Sequence, residues 1–312
     1  MKNNPLLPAV SWLKGRWVAV CVTVTAVALV AAAVFFFART DDAVPAFPRQ
    51  QKDFLSGPAL DNALSANSRA LELDPEDEKA MLERGVLLYQ QGPTAYLDAI
   101  KALEAARDLG ALDARLFYYL GVMYQYEGLY EYAAREYQRF LNNVPHDMET
   151  RLLLGKLYFQ SGEYDRALAQ FDAVLSTGAD DEIALENAAL TLIKLGKTDR
   201  FRAVEAKLRG LGRPAAARAA YVAGVKAYSD GSYAEALERI SEAEKNLDGA
   251  VLPEIGDGEF TRIKARALLA LEKYEESAEV WKDLLAKLPG DEEAKRELAR
   301  AVRSARPSRR SK

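Results

Sequence analysis

Between residues 59 and 305, apolar and small side chains recur with the period of amphipathic helices, interrupted by glycine- or proline-containing turns. The pattern is clearest at 114–181, where one arrangement occurs twice, 34 residues apart. In the first copy, Leu120-Gly121 is followed by Tyr124, Gly128, Tyr130, Ala133, Tyr137 and Pro145. In the second, Leu154-Gly155 is followed by Tyr158, Gly162, Tyr164, Ala167 and Phe171. An internal period of this size is typical of stacked helical repeats, so it predicts an all-α array.

Each copy is predicted to form two antiparallel helices. The first helix carries Gly121, which would let a second backbone approach closely. The second helix carries a small residue, Ala133, where the helices cross, and Tyr137 fills the space between repeats. Pro145 ends the unit, since proline cannot extend a helix. Such pairs are too small to bury their apolar faces alone, so neighbouring pairs are expected to stack.

These residues resemble the tetratricopeptide repeat (TPR) family, whose 34-residue signature they follow nearly position by position. The resemblance implies a right-handed superhelical solenoid of antiparallel helix pairs. Extended along the chain, it gives a half-repeat at 59–77, units at about 78–113, 114–147, 148–181, 182–215, 217–250 and 258–290, and a capping helix at 291–305.

Two units depart from the family's pattern. The unit at 78–113 has two extra residues in its turn, at 92–96. The unit at 182–215 has Phe201 where a small residue is expected, which predicts a wider helix crossing.

An apolar stretch precedes the repeats. Residues 17–38 contain no charged side chain, and 22 helical residues reach about 33 Å, enough to cross a bilayer core. The alternative is a cleaved signal peptide, with Ala31 and Ala33 at the cleavage site. Secretory apolar regions are shorter, about 7–15 residues, and bulky phenylalanines at 35–37 follow that site. The stretch is therefore predicted to be an uncleaved transmembrane signal-anchor.

The short tail at 1–16 is basic, with Lys14 and Arg16 directly against the apolar stretch. This predicts a cytoplasmic amino terminus in an inner or plasma membrane, with the repeat domain exported to the periplasm. Residues 39–58 are rich in proline and charge, which predicts an extended linker. Residues 306–312 form a basic tail predicted to be disordered. No Asn-x-Ser/Thr sequon occurs, which favours a bacterial exported protein.

The composition argues against catalysis and cofactors. The net charge of −4 gives no basic field for nucleic acid. One cysteine, Cys21, excludes disulfides within the chain and thiolate metal sites, and one histidine, His146, excludes most His-based metal or catalytic constellations. No nucleotide-binding, zinc-protease or serine-hydrolase motif is present. His146 is predicted to be an exposed turn residue, and residues 256–258 a flexible loop rather than a calcium site. We therefore expect a non-enzyme with no catalytic, cofactor or metal site.

The resemblance also implies where a partner binds, because first helices of successive units line a concave groove in the family. Positions 2, 5, 9, 12 and 13 of each unit face it. In this chain they give Leu82, Val86, Tyr89, Tyr118, Val122, Gln125, Tyr126, Leu152, Lys156, Phe159, Tyr221 and Tyr228, together with Leu190, Ile193 and Val225. The leucines and valines have an equal alternative as core residues, whereas aromatic side chains are typical binding anchors.

The predicted groove differs from that of the subfamily that clamps carboxy-terminal peptides. Val86 and Val122 stand where that subfamily has asparagine. An apolar, aromatic groove instead suits an amphipathic helix or an extended hydrophobic segment of a partner protein. The sequence thus predicts a membrane-anchored docking scaffold that assembles or tethers a cell-envelope complex. Two alternatives stay open: a cytoplasm-facing membrane adaptor, and a self-assembling homo-oligomer.

Overall fold

The computed structural model describes residues 47–178, 180–247, 252 and 258–305. The chain divides into two compact units, Met1–Gly57 and Pro58–Lys312. In the first, a 3-10 turn spans Gln51–Asp53, and the Arg49 guanidinium lies 4.2 Å from the Phe47 ring centroid. The predicted transmembrane helix and both basic tails lie outside the described residues. Among the helices of the described ranges, none combines the length and apolar character needed to cross a membrane.

The second unit is all-helical wherever it is described, with 14 α-helices and no strand. In chain order they are α1 Pro58–Leu73, α2 Glu78–Gln91, α3 Tyr96–Asp108, α4 Arg115–Tyr126, α5 Tyr130–Asn143, α6 Met148–Gln160, α7 Tyr164–Leu175, α8 Glu182–Lys194, α9 Thr198–Arg209, α10 Arg213–Ser229, α11 Tyr233–Leu247, α12 Glu259–Ala270, α13 Tyr274–Lys287 and α14 Glu292–Ala305.

Consecutive helices pack as pairs: α2 with α3, α4 with α5, and so on to α12 with α13. We call the leading member of each pair, α2, α4, α6, α8, α10 and α12, its first helix. Each second helix also packs on the first helix that follows it, so the pairs form a continuous stack. Helix α1 covers α2 at one end, and α14 covers α13 at the other. The predicted all-helical solenoid of repeats is confirmed.

Aspartates begin several of the first helices. The Asp77 carboxylate accepts from the backbone N–H groups of Lys79 and Ala80 at 2.9 and 3.0 Å. Asp147 and Asp181 each accept from one backbone N–H group, of Thr150 and Ala184, at the starts of α6 and α8. A capping carboxylate satisfies an amide that the helix leaves unpaired, a contribution of about 1 kcal/mol. These capping hydrogen bonds therefore stabilise the starts of the first helices, in addition to the packing between helices.

The glycines of the repeat signature lie against large side chains of the paired helix. A Cβ on Gly121 would stand 2.6 Å from the Tyr137 ring, and one on Gly155 would stand 2.5 Å from the Phe171 ring. Gly85 has the same relation to Leu103. The sequence-based expectation was close approach of a second backbone at Gly121. The structure corrects this: the nearest atoms belong to the tyrosine ring four residues after Ala133.

Two local departures have physical causes. The extra turn residues form a 3-10 turn at Pro93–Ala95, entered through Gly92 at φ 105°, a conformation that side chains disfavour. Helix α10 begins at Arg213, before residue 217 where its unit was predicted to start. Pro214 lies in its first turn, where the missing N–H needs no partner. Buried Ala215 and Ala219 then hold the added turn against the core.

A continuous apolar core runs through the middle of the stack, with members from Ala133 to Ile263. Phe201, at the degenerate position, is buried in this core. A separate cluster around Trp281 includes Ala294 and Ala301 of α14. The capping helix is thus tied to the last pair by its own small core.

Candidate partner-binding surface

One row of side chains follows the first helices from unit to unit. Each member comes directly after the small residue that lies against the paired helix, as Val122 follows Gly121. One step along a helix turns the side chain by about 100°, away from that contact. All members are partly buried, and we call them the groove row: Val86, Val122, Lys156, Leu190, Val225 and Arg266.

Neighbouring first helices also touch one another. Helix α2 contacts α4, α6 contacts α8, and α8, α10 and α12 are in contact successively. Val122, Leu190 and Val225 pack against the same central core. The groove row therefore lies on one face of the stack and spans several repeats.

Three of the predicted aromatic anchors are buried inside the stack. Tyr118 is 2% exposed, and its hydroxyl donates to Glu149 Oε1 at 3.2 Å. Tyr89 and Tyr221 are also buried, and burial raises the pKa of each above its ordinary value. Leu82 is buried as well. These four side chains pack between helices and present little surface to a partner.

Tyr126 is the most accessible of the predicted anchors, at 62% exposed. Its ring meets the Tyr96 ring edge-on at 5.1 Å, and Tyr96 stacks on Tyr89 at 5.6 Å. Beside it, Gln125 Oε1 accepts a 2.8 Å hydrogen bond from the Tyr137 hydroxyl. An exposed aromatic held by a second, fixed aromatic loses little freedom on binding, which suits an anchor.

The remaining predicted residues are partly buried around the groove row. Leu152, Phe159, Ile193 and Tyr228 all pack against the central core while keeping some exposed surface. We call these four, Tyr126 and the groove row together the groove face. The structure thus brings most of the predicted residues onto the sides of the first helices.

A second exposed group lies at the turns and was not predicted. Tyr130 and Tyr132 begin α5 and are about half exposed, beside Leu129. The Tyr132 ring meets that of Tyr124 at 5.6 Å, and Arg135 stacks over Tyr132 at 4.5 Å. The sequence signal was present in the repeated tyrosines after Gly128.

Charged groups near the carboxyl end of the array are mutually paired. Arg218 of α10 forms a buried ion pair with Glu186 of α8, and its Nε lies 3.5 Å from Glu182. Arg262 of α12 pairs with Glu259 of its own helix at 2.8 Å and with Asp291 at the start of α14. The pairs of Arg218 with Glu186 and of Arg262 with Asp291 join separate elements of the array, and sequence reasoning missed them because their members are distant in the chain.

The described part of the chain contains no group of three or more His, Cys, Asp or Glu side chains arranged to hold a metal ion. His146 is exposed in the turn between α5 and α6. Of the loop at 256–258, Gly258 alone is described. A surface cleft of about 410 Å³ lies between α5 and α7, lined by both arginines and glutamates, including Arg135 and Glu163. Because side chains of both charge signs line this cleft, its lining does not indicate one class of ligand.

Part of the sequence matches a known protein family. Residues 125–193, which contain Tyr126 and Lys156, match the family model described as tetratricopeptide repeat. This stretch is therefore similar in sequence to tetratricopeptide repeats. A curated relative, the peroxisomal targeting signal receptor of Candida glabrata, is 24% identical over 152 residues, which is 48% of this chain. That match spans 25% of the receptor's length.

Solved structures show that the tetratricopeptide-repeat fold extends well beyond that stretch. A tetratricopeptide repeat protein from Parabacteroides merdae superposes with a TM-score of 0.62 at 18% identity, covering 81% of this chain and 96% of its own. Yeast Tom70 reaches 0.56 at 16% identity, covering 78% and 51%. YrrB, described as a TPR protein with an unusual peptide-binding site, reaches 0.50 at 20% identity, covering 60% and 95%. At these identities the likeness is one of fold.

Proposed function

We propose that this chain is a membrane-anchored scaffold that binds a partner protein through the groove face, without catalysis. Tetratricopeptide-repeat proteins generally mediate protein–protein interactions. The observation that carries the proposal is the groove row itself. Apolar side chains keep partial exposure on successive first helices, although the neighbouring small residues are fully packed. A surface of this kind gains stability when an apolar segment covers it.

The occupant we propose is an amphipathic helix or an extended apolar segment. Tyr126 and Phe159 supply aromatic anchors on adjacent units, and the groove row supplies an apolar floor between them. Two of the similar proteins support a peptide ligand by their descriptions. YrrB has a peptide-binding site, and the Candida glabrata protein is a receptor for a targeting signal.

We further propose that residues 17–38 anchor the chain in an inner or plasma membrane, with the repeats exported. The uncharged length of that stretch and the basic residues before it support this topology. An exported scaffold held at the membrane suits the assembly or tethering of a cell-envelope complex. A reporter enzyme fused after Lys312 tests the topology. Activity confined to the exported compartment is expected, whereas activity confined to the cytoplasm would favour the cytoplasm-facing adaptor.

Site-specific photo-crosslinking in cells that produce the full chain tests the binding face. A photoreactive residue replaces Val122 or Leu190 of the groove row in one set of variants. In the matched set it replaces Gln138 or Ala169, exposed residues of second helices. We expect one crosslinked species of common mass from the groove positions and none from the controls. Crosslinks to another copy of this chain would instead indicate self-assembly, and crosslinks from the controls alone would refute the proposed face.

A further inference from the structure

We infer that the groove face selects an apolar segment carrying one acidic side chain, whose carboxylate pairs with the ammonium of Lys156. The inference rests on the proposed function and makes its ligand more specific. It starts from the groove row, where apolar side chains fill four of six positions. Arg266 ends the row and is paired with Glu293. Lys156 lies within the row.

The position of Lys156 is fixed by its neighbours. It directly follows Gly155, which lies against the Phe171 ring, so the backbone of α6 has little freedom to rotate here. Val122 precedes Lys156 in the row and Leu190 follows it, both packed on the central core. The lysine side chain is itself partly buried. Its aliphatic stem therefore continues the apolar row, and its ammonium stands at the surface of that row.

Within the described residues, Lys156 has no carboxylate within salt-bridge distance. Four arginines on the first helices differ, because each has one: Arg115 with Asp113, Arg218 with Glu186, Arg262 with Asp291 and Arg266 with Glu293. On α6 and on the neighbouring first helices α4 and α8, the acidic residues are already engaged, Glu182 among them at 3.5 Å from Arg218 Nε. Glu149 accepts from the Tyr118 hydroxyl, and Glu186 is buried against Arg218. The lysine thus holds an uncompensated charge between apolar members of the groove row.

This arrangement discriminates between ligands. A neutral apolar segment that covered the row would strip water from the ammonium without replacing it, and burying an unpaired charge is costly. A basic segment would add like-charge repulsion. A segment with an aspartate or glutamate at this point supplies a charge-assisted hydrogen bond in a partly dehydrated place, where such bonds are strongest. The acidic segment is selected for two reasons. Neutral and basic segments lose binding free energy at Lys156, and the carboxylate–ammonium pair contributes binding free energy of its own.

The carboxylate is that of a side chain rather than of a chain terminus. The row continues on both sides of Lys156, through Val122 and Val86 in one direction and Leu190 and Val225 in the other. A ligand that ended at the lysine would leave half of this apolar surface uncovered. A side-chain carboxylate allows the segment to run across the whole row. The ligand class is therefore an internal apolar segment with a single central acid.

Peptide selection tests the inference directly. The full chain, reconstituted in lipid nanodiscs, is panned against a phage-displayed random peptide library, and the affinities of synthetic copies are measured by fluorescence polarisation. We expect enriched peptides to carry one Asp or Glu with apolar residues on both sides. Lys156→Met, which keeps the apolar stem, should weaken binding about tenfold or more. Lys245→Met, at an exposed lysine of α11, is the matched control and should leave affinity unchanged.

A charge exchange completes the test. Replacing the peptide acid by its amide should cost as much as Lys156→Met, and the two changes together should cost no more than either alone. Lys156→Glu should bind a peptide with lysine at that place better than the original peptide. An affinity that Lys156→Met leaves within twofold would overturn the inference. So would peptides that need a free carboxyl terminus, shown by loss of binding on amidation of the terminus alone.

The outcomes separate the two proposals. Peptides that lose affinity with Tyr126→Ala but not with Lys156→Met would leave the binding face standing and refute the acidic selection. Peptides unaffected by Tyr126→Ala and Phe159→Ala bind elsewhere and refute the proposed face. A library that yields no enriched peptide at all counts against the face, and so against both.

Discussion

The ring of Tyr137 occupies the space beside Gly121. A Cβ on that glycine would lie 2.6 Å from ring atoms Cδ1 and Cε1, closer than real contacts allow. Gly155 and Phe171 repeat the relationship in the next unit at 2.5 Å, and Gly224 and Ile240 repeat it further along at 2.8 Å. The distance between paired helices is therefore set by a missing side chain on one helix and a large one on the other.

Gly121→Ala is expected to destabilise the array by about 1–3 kcal/mol, because the added methyl group overpacks a site with no free volume. The measurement is the free energy of unfolding in urea, followed by far-UV circular dichroism. Gly290→Ala is the control, since a Cβ there meets no atom within 4 Å. It should change stability by less than about 0.5 kcal/mol. Equal effects from both variants would contradict the packing account.

Arg218→Met is expected to cost about 3–5 kcal/mol, because it leaves Glu186 charged in a buried site. The double variant Arg218→Met/Glu186→Met should recover most of the loss, since both charges are then removed and similar volumes remain. Urea unfolding of the two variants checks this. A double variant as unstable as the single one would show that the residues do not act as a pair.

Glu272→Gly is expected to stabilise the last unit by about 1 kcal/mol. Glu272 adopts φ 62°, and the corresponding turns of other units have glycine at this point, as at Gly128 with φ 74° and Gly231 with φ 79°. A left-handed conformation is strained for a residue with a side chain, and glycine removes that strain. Gly231→Ala, the reverse change, should destabilise by a similar amount. Thermal unfolding measures the change in stability caused by each variant. A lower stability for Glu272→Gly than for its parent would contradict the prediction.

Asp291→Ala is expected to loosen the capping helix α14 in a pH-dependent way. The Asp291 carboxylate accepts from the Ala294 amide at 2.9 Å and pairs with Arg262, and these contacts hold its pKa below the ordinary value. A depressed folded-state pKa gives stability that is present above the unfolded pKa, about 4, and is lost as the pH falls through the folded value. The variant should lose about 1 kcal/mol or more at pH 7, because the cap is removed.

Tryptophan fluorescence follows this change, since Trp281 is fully buried against α14. The experiment uses full-length chains in which Trp12 and Trp17 are replaced by phenylalanine, so that Trp281 alone reports. The stability gap between Asp291→Ala and its parent should narrow as the pH falls below 4. A gap that is the same at pH 7 and pH 2 would contradict an ionised cap.

The helical array could be predicted from the sequence because its packing demands small residues at regular places. Gly121, Ala133 and Tyr137 recur 34 residues later as Gly155, Ala167 and Phe171, and this period reports both helix pairing and stacking. The start of α10 was not predicted, because the repeat spacing placed the start of its unit at 217, whereas the helix begins at Arg213 with Pro214 in its first turn. The added turn is held by the burial of Ala215 and Ala219, which the 34-residue period does not report.

The candidate surface was less predictable, since exposure depends on what covers each side chain. Tyr118 and Tyr126 are on the same helix and of the same residue type. Tyr118 is covered by Phe140, with ring centroids 5.7 Å apart, whereas Tyr126 is 62% exposed. The Arg218–Glu186 pair joins residues 32 apart with no local signature. Such tertiary contacts leave no trace in the spacing from which the groove residues were predicted.

The account depends most on the groove face, and the affinity of the photo-crosslinked partner for full-length variants tests it most directly. Tyr126→Ala and Phe159→Ala should each weaken binding about tenfold or more while circular dichroism stays native, as expected for aromatic anchors. Leu112→Ala, at a 93% exposed side chain in the turn before α4, should leave the affinity unchanged. Undiminished binding by both aromatic variants, or an equal loss from Leu112→Ala, would contradict the proposal that this face binds the partner.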